Sequence, residues 1–490
     1  MANERAQWNS RYAFMMAMMG SAIGIGNIWR FPKVLYSYGG GTFIIPYLCA
    51  FVLLGVCLSL VEYGVGNKFK SSIATIFKSI KPQFEFVAWF ICIVVFLIVT
   101  YYMVIIGWDA IYFVLSFTKA WGADPNTYFS TTLLHSTNSI SGIFTIVPVV
   151  ITAVVVLWVT IWAIVRRDLN SGIAKISNIL MPLLIVMIVI IVVFSLTLPG
   201  ASIGYSKIFS PDWSALTDLN VWLAAFGQIL FSLGLGEGLA LTYTSYLKDG
   251  NDLISTGVSV VSCNSAFEIF NAFGVFSILG FMTYSSGIPF DKLVTDGSGL
   301  AFVVFPQVLN VMGPFAYLIG PIFFLSILFA GLTSVFAMLE PLSSSLSEKF
   351  NIERKKAAGI VCLVGALISL IFTTGAGSML LNVFDTFLSN FGLLTATLVE
   401  CLIFGWIYKF DDIVEVLNKH SRFTLGKTYK FIIKILLPLI LIVLWINGVY
   451  SLITAETFTN QMIMIVLFVV IVAVPLVLTK LSPRIKAVNS

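Results

Sequence analysis

Gly20-Ser21-Ala22-Ile23-Gly24-Ile25-Gly26-Asn27-Ile28-Trp29-Arg30-Phe31-Pro32 lies inside the first long apolar run, where a helix that only had to span lipid would carry Leu, Ile and Val. Three glycines interrupt it, with Asn27 and Arg30 close behind. An interior glycine weakens a helix by about 1 kcal/mol, and an unpaired backbone group facing hydrocarbon costs several more, so a break here has to line a cavity or lie buried in protein. Gly20 and Gly24 also satisfy G-x-x-x-G, the spacing of close helix packing in membranes. Asn27 and Arg30, which packing alone does not need, favour a site.

The surrounding chain of 490 residues is 59% hydrophobic and 10% charged, which excludes a soluble or disordered protein and leaves an all-α polytopic membrane protein. The net charge of +5 implies no nucleic-acid partner, because in a membrane protein it is the placement of Lys and Arg that carries information. The six cysteines, Cys49, Cys57, Cys92, Cys263, Cys362 and Cys401, fall in apolar runs without metal-ligand spacing. The polar start from Met1 to Arg11 leads into a span that keeps functional-looking residues, so no cleavable signal peptide is expected. Twelve apolar segments are long enough to cross about 30 Å of hydrocarbon: 12–36, 41–66, 86–117, 142–165, 173–197, 220–246, 254–283, 315–346, 357–374, 379–408, 431–453 and 461–479. Lys and Arg cluster in alternate connections, around Lys68 to Lys81, Arg166 to Lys175, Lys349 to Lys356, Lys409 to Lys430 and Lys480 to Lys486, which places both termini in the cytoplasm of a cell-membrane protein. The whole chain, 1–490, reads as a single transmembrane domain.

The sixth segment repeats the anomaly of the first: Phe231-Ser232-Leu233-Gly234-Leu235-Gly236-Glu237-Gly238 puts three glycines and an acid at mid-membrane. Two interrupted spans five helices apart point to an inverted repeat with its site at the midplane, the repeats covering about 12–197 and 220–408, with spans 11 and 12 at about 431–479 outside them. Broken helices free carbonyls as oxygen ligands and expose half-helix N-termini to anions. A hard cation such as sodium takes several oxygens, and Asn27, Ser232, Asn264, Glu268, Thr333 and Ser334 supply more inside spans. A membrane Ser or Thr can equally spend its hydroxyl on its own helix backbone.

These residues resemble the neurotransmitter:sodium symporters, whose prokaryotic amino-acid transporters have the LeuT-type fold. The likeness rests on Gly20 to Pro32, Gly39-Gly40-Gly41 with Phe43 and Pro46, Trp222 to Tyr246 including Gly227-Gln228, Ala330-Gly331-Leu332-Thr333-Ser334, and the pair Gly172 and Pro182. It implies twelve transmembrane helices with helices 1 and 6 unwound, and two bound sodium ions. The first ion would take Ala22, Asn27, Ser232, Asn264 and the substrate carboxylate; the second would take Gly20, Ile23, Ala330, Thr333 and Ser334. The substrate carboxylate would meet Ile25, Gly26 and Tyr102, and its ammonium Ala22, Phe231 and Ser232. The side-chain pocket would be Ile98, Phe231, Gly234, Glu237, Ser334 and Met338. Arg30 and Asp385 would gate the outside; Arg5, Trp8, Tyr246 and Glu348 would gate the cytoplasmic side.

Glu62 and Glu400 are assigned to bracing the broken helices, and Glu268 to supplying the fixed anion that chloride provides in relatives with Ser there. Gly24 stands where amine carriers of the family have Asp, leaving room for a substrate carboxylate. The expected function is therefore sodium-coupled, chloride-independent symport of an amino acid by alternating access. A carboxyl at Glu237 favours a polar or basic side chain over a neutral aliphatic or aromatic one; alternatively it turns away and caps amides freed by the break. A sensor or channel on the same scaffold is the alternative of another class. No nucleophile, base and orienter set suggests an enzyme. The expected partners are the amino acid and the bilayer, with the chain a monomer or a loose homodimer.

Overall fold

In lipid each backbone N–H and C=O has to be satisfied internally, and this chain does so with helices. The computed structural model describes residues 6–294 and 297–481. Among the described residues, ten continuous spans are long and apolar enough to cross a membrane. They are α2 (Gly40–Phe69), α3 (Pro82–Ser116), α4 (Pro148–Val165), α5 (Asn170–Leu196), α7 (Leu253–Ser286), α8 (Gly313–Phe350), α9 (Arg354–Thr373), α10 (Gly377–Ile407), α11 (Lys427–Thr454) and α12 (Phe458–Lys480). Two interrupted spans complete the bundle. The halves of α1, Arg11–Ala22 and Ile25–Ser37, are bent by 51°, and those of α6 are Leu219–Ser232 and Leu239–Thr244.

Packing explains which helices read as uniformly apolar. In the most apolar stretch of α3, 94% of residues are buried, against 22% in α12, so α3 runs through the core while α12 faces lipid. Close approach of α8 to α3 depends on glycine. A Cβ on Gly331 would stand 2.8 Å from the Ile106 side chain, and one on Gly320 would stand 3.3 Å from Ser116. These two crossings fix the antiparallel register of the central pair. The fourth span starts later than hydropathy suggests, because Ile140–Phe144 forms a separate turn and Pro148 occupies the first position of α4, where its missing N–H costs nothing.

The two breaks differ in kind. In α1 the inner half ends at Ile23, whose N–H still reaches Met19 O at 2.7 Å, and Gly24 is extended (φ −113°, ψ −172°). Gly20 stays helical, so the break occupies two residues and not the whole glycine run. In α6 it is longer, with Gly234, Gly236 and Gly238 all left-handed at φ 60°, 73° and 74°. L-residues pay roughly 1–2 kcal/mol for that conformation, which accounts for the alternate glycines.

Candidate functional site

The outer half of α1 begins with amides that have no helical partner, and two side chains meet them, its own Asn27 and Tyr102 of α3. Gly24 N donates to Asn27 Oδ1 at 2.9 Å and Ile25 N to the Tyr102 hydroxyl at 3.2 Å. A Cβ on Gly24 would lie 3.0 Å from Ser334 Oγ and 3.3 Å from Tyr102 OH, whereas one on Gly26 would meet nothing within 4 Å. Glycine at Gly24 thus lets the Ser334 and Tyr102 hydroxyls come up against the break, and open space adjoins Gly26; amides and hydroxyls together are groups suited to a carboxylate.

Asn27, Ser232 and Asn264 form one buried cluster across α1, α6 and α7. Asn27 Nδ2 donates to Asn264 Oδ1 (2.8 Å) and Ser232 Oγ (3.3 Å), and Asn264 Nδ2 donates to Ser232 Oγ (2.5 Å). Ala22, buried, ends the inner half of α1. One turn along α7, buried Glu268 accepts from Tyr47 OH and from Gln228 Nε2 at 2.8 Å. Asn271 bonds the backbone of the broken span, at 2.9 Å to Ile28 O and 3.3 Å to Asn27 O. Tyr47 and Asn271 carried no sequence signal of this role; Gln228 stood in a quoted motif without one.

A second oxygen cluster joins α1 to α8. Ser334 Oγ donates to Gly20 O (3.3 Å) and Ala330 O (3.1 Å), and Thr333 Oγ1 to Ala330 O and Phe329 O (both 3.0 Å). Both hydroxyls therefore do bond their own helix, yet the carbonyls they use include two of the expected ligands. A Cβ on Gly20 would stand 2.9 Å from Thr333 Cβ, so glycine permits this approach. Ile23, the fifth expected ligand, is buried at the end of the inner half.

Ile98 and Met338 are buried, and Tyr102 and Phe231 are partly exposed. Glu237 is 7% exposed, and its Oε2 lies 3.4 Å from where a Gly234 Cβ would stand. Among the described residues no group donates a hydrogen bond to its carboxyl. The freed amide of Gly236 is capped instead by Glu62 Oε1 at 2.8 Å, and Leu235 O accepts from Thr397 Oγ1 at 3.1 Å. Glu62 therefore braces the break from α2, with Glu400 of α10 buried against it. The alternative in which Glu237 caps the break is excluded at this amide.

The outer charges do not pair. The Arg30 guanidinium sits 4.6 Å over the Phe231 ring, and Asp385 accepts from Tyr101 OH at 2.8 Å. Both charged residues are exposed, so this side is open. The opposite end is closed: Trp8, 2% exposed, bonds Tyr243 O at 2.8 Å through its indole and Tyr246 O at 3.0 Å through its amide. Arg5 lies outside the described residues. Glu348 accepts from Ser72 Oγ (2.6 Å) and Thr75 Oγ1 (2.8 Å), fastening the segment after α2, while the carboxylate at Tyr246 OH is that of Glu340, at 2.8 Å. Glu340 is in turn ion-paired with Arg354 at 2.6 Å. Sequence reading missed both residues of that pair.

With this geometry in hand, the relatives become informative. The model of the sodium:neurotransmitter symporter family matches residues 5–142 and 122–486. The chain belongs to the sodium:neurotransmitter symporter family. An uncharacterized sodium-dependent transporter of Methanocaldococcus jannaschii is 39% identical over 439 residues, 89% of each chain. The human sodium- and chloride-dependent GABA transporter 2 is 29% identical over 84% of this chain and 75% of its own length. Among solved structures, MhsT in complex with L-phenylalanine is similar with TM-score 0.78 and 28% identity, over 91% of this chain and all of MhsT. This symporter is therefore a sodium-dependent secondary transporter with the LeuT-type fold, a multi-pass membrane protein and not an enzyme.

Proposed function

We infer that the chain carries an amino acid into the cell with two sodium ions, without chloride, by alternating access. The observation that carries the amino-acid reading is the meeting of Ser334 Oγ, Tyr102 OH and the Ile25 amide at Gly24, beside the open space at Gly26, where an Asp side chain at position 24 would collide with both hydroxyls. The neighbour MhsT, which was solved with L-phenylalanine, supports it. The first ion is assigned to Ala22, Asn27, Ser232 and Asn264 with the substrate carboxylate, and the second to Gly20, Ile23, Ala330, Thr333 and Ser334. The first set requires the Asn27 and Asn264 amides to turn their oxygens to the ion, exchanging the mutual bond they now make. Glu268, already held by Tyr47 and Gln228, supplies the negative charge that makes chloride unnecessary.

Glu237 beside Gly234 supports a polar or basic substrate side chain, since its carboxyl meets no protein donor among the described residues. An unpaired acid at membrane depth is costly, and a substrate donor relieves that cost. The inverted repeats, the cytoplasmic termini and a location in the cell membrane complete the reading. Uptake into proteoliposomes under an imposed sodium gradient, with a panel of amino acids and with or without chloride, tests it. Sodium-independent uptake, or binding without accumulation, would favour a channel or a sensor.

A further inference from the structure

Pro32 stands inside the outer half of α1, Ile25–Ser37, and leaves that helix with a defect. In an α-helix each carbonyl is taken by the N–H four residues on, so Ile28 O would be taken by residue 32, and proline has no N–H to give. Lipid offers no water to repair the loss, and Ile28 is buried at 2% exposure. The repair comes from another helix. Asn271 of α7, 4% exposed, donates through Nδ2 to Ile28 O at 2.9 Å and to Asn27 O at 3.3 Å. Its partners fix the orientation of this amide, because two carbonyl oxygens can be met only by the nitrogen, which carries two hydrogens.

Asn271 shares its face of α7 with two residues already placed against the same break. Asn264, Glu268 and Asn271 follow at intervals of four and three, one above the other. Asn264 Oδ1 takes the Asn27 side chain at 2.8 Å, and Asn271 takes the backbone of Asn27 and Ile28. Helix α7 therefore holds Asn27 at both its side chain and its carbonyl. A side chain held alone still turns about its own bonds; with the backbone fixed as well, the Asn27 amide meets Ser232 and Asn264 in one position.

We propose that Asn271 is a positioning residue for sodium: it replaces the N–H that Pro32 lacks and so seats the outer half of α1 on α7 with Asn27 turned to the first ion site. This rests on the assignment of Asn27 to that site. The pairing makes two residues far apart in the chain depend on each other. With Leu at 271, which is of similar size and has no donor, Ile28 O is left buried and unpaired, and the outer half relaxes away from α7 until the carbonyl finds another donor. An ion bound through Asn27 has to draw it back, so the cost falls on the sodium-bound state. Ala at 32 restores the N–H, Ile28 O is satisfied within its own helix, and Asn271 becomes dispensable. The carbonyl has two lone pairs, so the added N–H and Asn271 do not compete.

Thermal melting of the purified full-length protein in sodium chloride against potassium chloride at equal ionic strength reads stability and sodium affinity together, because a ligand of the folded state raises the midpoint with its concentration. Asn271→Leu should raise the sodium concentration at which the midpoint starts to climb by about fivefold or more, the shift that one buried acceptor without a donor produces. Pro32→Ala alone should leave that concentration in place, and combined with Asn271→Leu should return it to within about twofold of the Pro32→Ala value. An Asn271 that is merely structural would lower the midpoint in potassium and leave the sodium dependence as it was, which overturns the proposal. So does a sodium shift that Pro32→Ala does not reverse. Asn27→Leu separates the two layers: if it moves the sodium dependence and Asn271→Leu does not, the ion site stands and the positioning role falls; if neither moves it, the ion site falls and the role with it. If Asn271→Leu alone does not fold, Pro32→Ala should restore folding, and a double variant equally unfolded overturns the proposal.

Discussion

Replacing Glu237 by Leu should reverse substrate preference while leaving the broken helix intact. The fold is protected because the freed Gly236 amide is held by Glu62 at 2.8 Å, not by Glu237. What the substitution removes is a carboxyl beside Gly234 with no protein donor. A charge-assisted hydrogen bond to a substrate side chain is worth about 1.5–3 kcal/mol, so polar and basic amino acids should lose roughly 10- to 150-fold in affinity. Leu in the same place offers apolar contact, worth about 0.8 kcal/mol, or roughly fourfold, for each substrate methylene it shields. The ratio between a lysine-like and a leucine-like substrate should therefore shift by two or more orders of magnitude. A competition panel against sodium-driven uptake in proteoliposomes measures it, with Glu62→Leu as the contrasting variant that should impair all substrates alike. The same ranking in Glu237→Leu as in the unmodified chain would refute the placement of the substrate side chain.

Asn27→Leu and Thr333→Val each exchange an oxygen for a methyl in a different expected sodium site, and each should weaken sodium-dependent substrate binding about ten- to a hundredfold, read from sodium titrations of binding. Unchanged titrations in both would refute the ion sites. Glu268→Ser leaves Tyr47 and Gln228 without their anionic acceptor, so transport indifferent to chloride should become chloride-dependent; strict dependence in the unmodified chain would contradict the role of Glu268. Cysteines near Lys81 and Lys355 should react with an impermeant reagent only from the cytoplasm, and those near Lys292 only from outside; the opposite pattern would sink the repeat assignment.

The parts legible in the sequence are those where one segment carries its own physical contradiction. Glycines within an apolar run announced both breaks, because neither lipid nor helix stability accounts for them. Their extent was less legible: Gly20 stays helical because its role is proximity to Thr333, whereas Gly234, Gly236 and Gly238 are needed for their left-handed backbone. Partners brought together by tertiary packing left no local trace. Tyr246 and Glu348 were expected in one gate with Trp8 and Arg5, but the part of Glu340, about two turns before Glu348 on α8, was not: it takes the Tyr246 hydroxyl, while Glu348 also accepts from Ser72 and Thr75. Spacing on one helix cannot choose between two acids so placed. Asn271 was equally silent, since the carbonyl that Pro32 frees is brought to it only in the packed bundle.

The geometry also says why the α1 break is the element through which the proposed ion and substrate sites would be coupled. Its inner half ends in carbonyls facing α8, where Ser334 reaches both Gly20 and Ala330; its outer half begins with the amide that Tyr102 caps and the Asn27 side chain that joins α6 to α7. A ligand at either oxygen cluster therefore constrains the same two extended residues, Ile23 and Gly24, from opposite ends. Two ligands that each order a shared hinge lower one another's entropic cost, so coupling between the clusters requires no direct contact between them. At the Trp8 end the hinge is anchored to the second half of α6 and by way of Tyr246 to the Glu340–Arg354 pair, while at the other end Arg30 and Asp385 remain apart. The protein is thus held at one end and open at the other, the asymmetry that the proposed alternating access would have to invert.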